Sequence, residues 1–227
     1  MATITVSREY GSGGDEVATR VSELLGYQYF DKTLMAQIVA ETGLSESEIV
    51  DFSEDNYRAR SFLDRLLSWR GPREIARVST WSEDAAGARS RETAILNEAQ
   101  GIALVQAALQ AAHKKGSVVI LGRGGQAILK GVPGVLHVRI QAPMETRFTR
   151  ISTTESIRLM GLRKEIVEHD QATADYLKRF YGIDWADPAH YDLVINMVQL
   201  SVEATAQLIA DAAKSLPPPQ SSPESSA

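Results

Sequence analysis

The sequence predicts an α/β protein built on a parallel β-sheet, and three observations support that fold class. Residues 2–6 are rich in β-formers and alternate in character, and a glycine-rich turn and a helical pattern follow them. Residues 118–121 form a continuous apolar run, typical of a strand buried on both faces of a parallel sheet. Strand-like and helix-like segments then alternate as far as residue 215, which is typical of parallel sheets covered by helices on both faces.

Composition and charge exclude several kinds of site and partner. The 227 residues include no cysteine, which excludes disulfides, thiolate metal sites and cysteine nucleophiles. A net charge of −5 argues against nucleic acid as a general partner. No apolar run reaches the length of a membrane span, and the first residues lack the pattern of a signal peptide. We therefore expect a cytoplasmic protein with no membrane partner.

The glycine-rich turn at residues 7–14 is the first candidate for a functional site. It leads into a helix whose apolar face includes Val17 and Val21, and Gly26 stands where a helix C-cap glycine is expected. Such a turn presents backbone N–H groups and the positive end of a helix dipole, which favour a phosphate group. The alternative is a tight turn that needs glycine only for its backbone angles.

Compared with the phosphate-binding pattern G-x-x-x-x-G-K-[ST], the turn keeps glycines but lacks the lysine. With Gly13 as the second glycine, Gly14 stands at the lysine position. In the alignment we favour, Glu16 takes the place of the magnesium-binding serine or threonine, after Asp15. Two carboxylates here would repel phosphate, since like charges about 4 Å apart cost about 4 kcal/mol at an effective dielectric of about 20.

The remaining segments are predicted from hydrophobic periodicity and from the positions of glycine and proline. Residues 45–91 show only short helical patterns. The predicted helices are 31–42, about 91–115, 144–160, 162–181 and 200–215, and the further strands are 118–121, 135–140 and 191–195. Residues 216–227 are rich in proline and serine and are predicted to be disordered.

Residues 58–91 carry eight arginines against four acids and form the most basic stretch of the chain. One interpretation is a set of solvated helix faces. Others are binding of an acceptor phosphate, a protein partner or RNA. The aromatic residues interleaved with the arginines could stack on nucleic-acid bases. A further hypothesis makes this stretch the arm of a homodimer.

Several motifs occur in a characteristic order: ITVSREYGSGGDEVA, GYQYFDKTLM, VVILGRGGQAIL, VLHVRIQAPMETRFTRI and DWADPAHYDLVIN. Together they resemble the cytidylate kinase-like family, which is related to the nucleoside monophosphate kinases. The resemblance covers residues 2–42 and 95–215. It implies a three-layer P-loop kinase fold with a five-stranded parallel sheet flanked by helices, forming one domain over residues 1–215. It also implies a helical insertion at about 43–92 and a lid at about 155–185.

The resemblance implies ATP-dependent phosphoryl transfer with Mg²⁺ to a small-molecule nucleotide, CMP or a relative of it. On this basis Arg8 supplies the cation that the lysine normally provides, and Arg150 stabilises the transferring phosphate. Asp31, Arg123 and Arg147 match acceptor-binding positions. The residues expected to hold the ATP phosphates are Gly11, Ser12, Gly13 and Gly14.

Departures from the family pattern keep a second hypothesis open. Besides the missing lysine, residues 169–175 of the expected lid contain no arginine. Leu121 and Gly124 stand where the resemblance implies acids on either side of the Gly122–Arg123 pair. The chain could therefore be a non-catalytic sensor or partner module that binds a nucleotide or another phosphate.

Each candidate residue also has a purely structural interpretation. Arg8 could pair with Glu9 or Glu16, Asp31 could cap the next helix, and Arg147 and Arg150 could be surface charges. We expect structural roles for His113, His137 and His190, since they do not show the spacing of a metal site. Trp185, with the Asp187–Pro188 turn, is expected to anchor the loop before the last strand; the alternative is a wall of the nucleotide pocket.

Overall fold

The computed structural model describes residues 2–30, 74–83, 89–154 and 160–217, and its elements follow the predicted α/β order. In chain order the strands are β1 (Thr3–Arg8), β2 (Gln28–Phe30), β3 (Glu74–Glu83), β4 (Arg89–Asn97), β5 (Val118–Leu121), β6 (Val135–Gln141) and β7 (Leu193–Asn196). The α-helices are α1 (Gly14–Leu25), α2 (Glu98–Lys115), α3 (Gly125–Ile128), α4 (Met144–Thr154), α5 (Leu162–Tyr181) and α6 (Val202–Ser215), with a 3₁₀ helix at Pro188–His190.

Five strands form one parallel sheet in the order β2-β5-β1-β6-β7, as the family resemblance implied. The central strand β1 pairs with β5, where Val6 faces Leu121, and with β6, where Arg8 faces Ile140. The carboxyl ends of these three strands therefore share one edge of the sheet. Open α/β sheets bind their ligands at that edge.

Helices cover both faces of the sheet and bury separate apolar clusters against it. On one face α1 and α6 pack against the strands, and the fully buried residues there include Ile4, Val17, Val21, Val138 and Ile209. On the other face α2 packs with Val105 and Leu109 against Ile120. The spacing of four residues in each helix places these side chains on one face, which explains why periodicity predicted the helices.

The structure differs from the expectations in two places. Strand β2 was missed because three residues are too few to show an alternating pattern; it forms by pairing with β5. Residues 74–83 and 89–97 form an antiparallel hairpin instead of part of a helical insertion, and α2 consequently begins at Glu98. The hairpin is rich in Val, Ile, Thr and Trp, whose branched or aromatic side chains favour strands.

Other predictions fall outside the described residues. They concern residues 31–73, which include Asp31 and the predicted helix 31–42, the first part of the expected lid at 155–159, and the end of the chain from residue 218. Within the described ranges, no helix is long and apolar enough to cross a membrane. Gly26 ends α1 in the left-handed conformation, with a φ of 64°, as its position predicted.

Two of the histidines have structural roles on the central strand. The Nδ1 atom of His113 lies 3.0 Å from the hydroxyl of Thr3, and the Nδ1 atom of His137 lies 2.7 Å from the hydroxyl of Thr5. Both threonines are buried, so the imidazoles provide partners for hydroxyl groups that water does not reach. This confirms the structural interpretation of both residues.

Replacing both histidines by glutamine is expected to weaken the acid sensitivity of the fold. Burial lowers the pKa of His113 and of His137 below the ordinary value of 6.5. As the pH falls through 6.5, the unfolded chain therefore takes up protons that the folded chain does not. Stability is complete above that pH and is lost below it, by at most about 1.4 kcal/mol per pH unit for each proton.

Urea unfolding measured between about pH 8 and pH 5 tests this expectation. The double variant should show a smaller fall in unfolding free energy with acid than the parent protein. Thr5→Val is the matched control, since it removes the hydrogen-bond partner of His137 and leaves the half-buried ring in place, so the acid dependence should be kept. An unchanged acid dependence in the double variant would refute the assignment.

Candidate phosphate-binding site

The loop between β1 and α1 has the backbone of an anion cradle. Gly11 and Gly13 have φ values of 74° and 90°, a region that residues with a side chain rarely adopt. Gly13 is the N-cap of α1, and the first bond of the helix runs from Val17 N to Gly13 O at 3.1 Å. The amides of the first helical turn therefore face the loop without helical acceptors, which suits a phosphate group.

Arg8 and Gly14 are packed against each other at the start of the helix. A Cβ atom on Gly14 would lie 2.4 Å from the Cβ atom and 2.7 Å from the Cγ atom of Arg8. These are the inner atoms of the arginine side chain, so they cannot move aside without moving the strand. Arg8 and any larger residue at position 14 exclude each other in this backbone.

The guanidinium of Arg8 pairs with Asp15. This corrects the partner that the structural interpretation of Arg8 had predicted from the sequence. Arg8 Nε lies 3.3 Å from Asp15 Oδ2, and Nη2 lies 3.2 Å from Oδ1. The predicted partners were Glu9 or Glu16. Because the helix starts directly after Gly13, Asp15, not Glu16, stands at the serine or threonine position of the P-loop pattern.

Arg150 on α4 lies across the same loop. Its Nη1 donates to the backbone oxygens of Ser12 and Gly11, the latter at 3.4 Å. A Cβ atom on Gly13 would lie 2.7 Å from Nη1, so the absence of a side chain there makes room for the guanidinium. The structure thus brings Arg150 to the loop, whereas the alternative interpretation made it a surface charge.

Arg147 lies one helical turn before Arg150 and is 6% exposed. Its Nη1 lies 2.5 Å from Asp170 Oδ2 and donates to the backbone oxygen of Tyr10 at 3.3 Å. Its Nε lies 3.7 Å from Glu9 Oε2. Arg147 therefore joins helices α4 and α5 to the beginning of the loop.

Helix α5 also contacts the loop directly. The backbone amide of Tyr10 donates to Asp170 Oδ1 at 3.0 Å. The ring of Tyr10 stacks on His169, with the centroids 4.1 Å apart and the planes within 12°. Asp170 and His169 belong to the stretch expected to form the lid, so the loop and that stretch are connected in this conformation.

Arg139 completes the network and was missed by the sequence analysis. It is 4% exposed, its Nη1 donates to the backbone oxygen of Trp185 at 2.6 Å, and its Nη2 lies 3.5 Å from Glu9 Oε1. Its guanidinium also covers the Trp185 ring, 4.2 Å from the centroid. An arginine flanked by Val138 and Ile140 in the mostly apolar strand VLHVRIQ is the signal that could have predicted a buried charge with specific partners.

Trp185 anchors the loop before β7, as predicted. Its side chain is buried, and its Nε1 donates to the hydroxyl of Ser7 on β1 at 2.8 Å. Asp187 caps the following 3₁₀ helix by accepting from Ala189 N at 2.9 Å. The chain before the last strand is thus fixed to the base of the phosphate loop.

Arg123 follows β5 at the same edge of the sheet. It is 5% exposed, and its φ of 60° places it in the left-handed region between Gly122 and Gly124. Its guanidinium carbon lies 5.9 Å from the centroid of the Phe30 ring at the end of β2. The turn is connected to β1 by the Gly122 amide, which donates to Val6 O at 2.9 Å.

Comparison with known proteins identifies the family. The family model described as "Cytidylate kinase-like family" matches residues 3–199. The chain belongs to the cytidylate kinase-like family. The P-loop kinase fold that the resemblance implied is thereby confirmed, and the β1–α1 loop lies where that fold has its P-loop.

Individual relatives cover nearly the whole chain. A cytidylate kinase from Aeropyrum pernix is 26% identical over 92% of this chain and 97% of its own length. A cytidylate kinase from Archaeoglobus fulgidus is 25% identical over 92% of this chain and 93% of its own length. The crystal structure of an uncharacterised protein from Eubacterium ventriosum shares the fold, with a TM-score of 0.60 and 17% identity over 95% of this chain and 99% of that one.

The residues of this family member fit a nucleotide phosphate with its metal ion. Ser12 is fully buried, and among the described residues its Oγ has no hydrogen-bond partner, so it can donate to an anion. Arg8 and Arg150 bring two guanidinium groups to the loop, and Asp15 offers a carboxylate of the kind that Mg²⁺ accepts beside phosphate oxygens.

Proposed function

We propose that this protein is an ATP-dependent phosphotransferase of the nucleoside monophosphate kinase type, with CMP or a related nucleotide as the acceptor. The observation that carries the proposal is the P-loop itself, which retains a glycine cradle and gathers Arg8 and Arg150 around it. The relatives named cytidylate kinase, which match along nearly the full chain, support the choice of acceptor.

In this proposal Arg8 replaces the missing lysine. The pattern's first glycine position holds Arg8, and its lysine position holds Gly14. A glycine and a basic residue have therefore exchanged places relative to the pattern. The steric conflict between a Cβ on Gly14 and the inner atoms of Arg8 supports a reciprocal exchange. A guanidinium from the strand then provides the positive charge, with a planar fork suited to two phosphate oxygens.

Phosphoryl transfer depends mostly on positioning and on stabilising negative charge. The proposed site holds the ATP phosphates on Gly11, Ser12, Gly13 and Gly14. Mg²⁺ would neutralise the phosphates when it is bound with the nucleotide. Arg150 would donate to the transferring group, in exchange for its present bonds to the backbone oxygens of the loop.

On the acceptor side we propose Arg123, together with Asp31, which lies outside the described residues. Arg147 matches an acceptor-binding position, but its guanidinium is already bound to Asp170, Glu9 and the Tyr10 backbone. Giving up a buried ion pair would be costly. We therefore propose that Arg147 positions the phosphate loop and acts on the acceptor only through that loop.

A coupled assay of ATP consumption tests the proposal. Purified protein is incubated with ATP and Mg²⁺ against a panel of nucleoside monophosphates, with nucleosides and small alcohols as additional acceptors. ADP release that depends on CMP or a close relative is the expected result. ADP release that depends only on an alcohol acceptor would still show a kinase, but it would overturn the proposal that the acceptor is a nucleotide.

The second candidate is a nucleotide-binding module without turnover, favoured by Gly14 and by the absence of arginine from residues 169–175. Nucleotide affinity measured by calorimetry, together with no ADP release across the whole panel, would favour this candidate over the kinase.

Arg123→Ala is expected to abolish acceptor binding while the protein remains folded. Arg123 and alanine experience the same left-handed strain, so the substitution removes the guanidinium without changing the backbone requirement. Calorimetric titration with CMP measures the loss, and Arg123→Lys is the conservative control, which should retain part of the affinity as a single point charge. Unchanged CMP affinity in the alanine variant, with a native circular dichroism spectrum, would refute the assignment.

A further inference from the structure

Asp15 is the least expected residue of the phosphate loop. It lies two positions after Gly13, where the P-loop pattern has a hydroxyl residue that binds Mg²⁺. Its side chain is 57% exposed, and both carboxylate oxygens face the Arg8 guanidinium, at 3.3 Å and 3.2 Å. The loop thus holds a charged pair formed by Arg8, at the pattern's first glycine position, and Asp15, at its hydroxyl position.

We propose that the carboxylate of Asp15 is a ligand of the nucleotide-bound Mg²⁺, and that this loop therefore selects the magnesium–nucleotide complex strongly over the metal-free nucleotide. The inference rests on the proposed nucleotide site and specifies the form of the ligand that the site accepts. Carboxylates combined with phosphate oxygens are a usual ligand set for Mg²⁺ in phosphoryl-transfer sites.

The selectivity follows from the charges around the loop. Metal-free phosphates would approach the Asp15 carboxylate directly, and the Arg8 guanidinium would have to serve two anions at once. With Mg²⁺ present, the carboxylate binds the metal and the donors of Arg8 can serve the phosphates. A neutral hydroxyl at position 15 would neither repel the metal-free nucleotide nor attract the metal as strongly.

A second feature of the same loop points independently to an anionic ligand. Ser12 is 0% exposed, and its Oγ has no hydrogen-bond partner in the part of the chain that the structure describes. A buried hydroxyl without a partner is costly, and a phosphate oxygen would supply the missing acceptor. The loop therefore combines a donor for the phosphate with a carboxylate for its metal ion.

The test is a calorimetric titration of the full chain with the imido analogue of ATP, which is not hydrolysed, in excess Mg²⁺ and in EDTA. We expect the parent protein to bind about 10–100-fold more tightly with Mg²⁺ than without it. Asp15→Ser should reduce this ratio mainly by raising the affinity for the metal-free analogue. Asp15→Asn keeps the side chain's size and should reduce the ratio in the same direction.

Glu16→Gln is the matched control, because it removes one negative charge from the adjacent position of the same helical turn. It should change the ratio much less than either Asp15 variant, because only Asp15 is proposed to bind the metal. A parent-like ratio in both Asp15 variants, or an equal change in Glu16→Gln, would overturn the inference while nucleotide binding stands. Failure of the parent protein to bind the analogue in either condition would overturn the proposed function, and the inference with it.

Discussion

Arg8→Ala is expected to lower the rate of phosphoryl transfer by about 10²–10³-fold, the usual effect of removing one preorganised charge-stabilising group. The guanidinium of Arg8 stands beside the first turn of α1, where the loop's own lysine is absent. Because transition-state charge on the phosphates is what the group would stabilise, kcat should fall more than the affinity for ATP. Steady-state kinetics with ATP and CMP measures both quantities.

Arg20→Ala is the control for this variant. Arg20 lies on the same helix but pairs with Glu203 and Glu23 at the surface, away from the loop. Its loss should leave kcat unchanged. A variant at Arg8 with parent-like kcat and a native fold would show that another group supplies the cation.

The exchange of residue types can also be reversed. Gly14→Lys alone should fail to fold normally or to bind nucleotide, because its Cβ would lie 2.4 Å from the Arg8 Cβ. Arg8→Gly combined with Gly14→Lys removes that clash and recreates the glycine and lysine of the usual pattern. The pair should therefore be strongly non-additive, with the double variant more active than either single variant. Additive losses would mean that the two positions are independent.

Arg147→Met is expected to destabilise the protein by about 3 kcal/mol, since removing one partner of a buried ion pair leaves the other charge uncompensated. Arg147 is 6% exposed and binds Asp170, Glu9 and the Tyr10 backbone. Methionine keeps the apolar length of the side chain and removes only its charge and donors. Urea unfolding at neutral pH measures the loss.

A second ion pair between the same two helices provides a matched control. Arg163 on α5 binds Glu145 on α4 through two contacts of 2.6 Å, but both side chains are largely exposed. Exposed pairs contribute little because water screens them. Arg163→Met should leave the urea midpoint unchanged, and equal midpoints for the two variants would contradict a stabilising role for Arg147.

The kcat and KM values of Arg147→Met distinguish a positioning role of Arg147 from a purely structural one. If it only supports the fold, Arg147→Met should have parent-like kcat and KM at temperatures where it is fully folded. If it holds Tyr10 and thus the loop, KM for ATP should rise even in the folded variant. Arg147→Lys restores the charge and should recover part of the affinity.

Local patterns predicted most of the framework correctly. The glycine turn, the buried strand at 118–121 and the helical faces each depend on residues close together in the chain, so their spacing could be interpreted directly. The hairpin at 74–83 and 89–97 was mistaken for helix because its pairing joins two segments that each have only a weak pattern. Strand β2 depends in the same way on a neighbour, β5, that is distant in sequence.

The sequence by itself determined the fold class, the glycine-rich turn and the family, because glycine positions and apolar periods are local and the motifs occur in a fixed order. Only the tertiary structure decided the partners of the charged residues. Tyr10 meets Asp170 across 160 positions, and Glu9 meets Arg139 across 130. An arginine can reach any acid that the fold brings near it, so composition and spacing leave its partner open. Arg8 pairs with Asp15, although the sequence offered Glu9 and Glu16 as its partners.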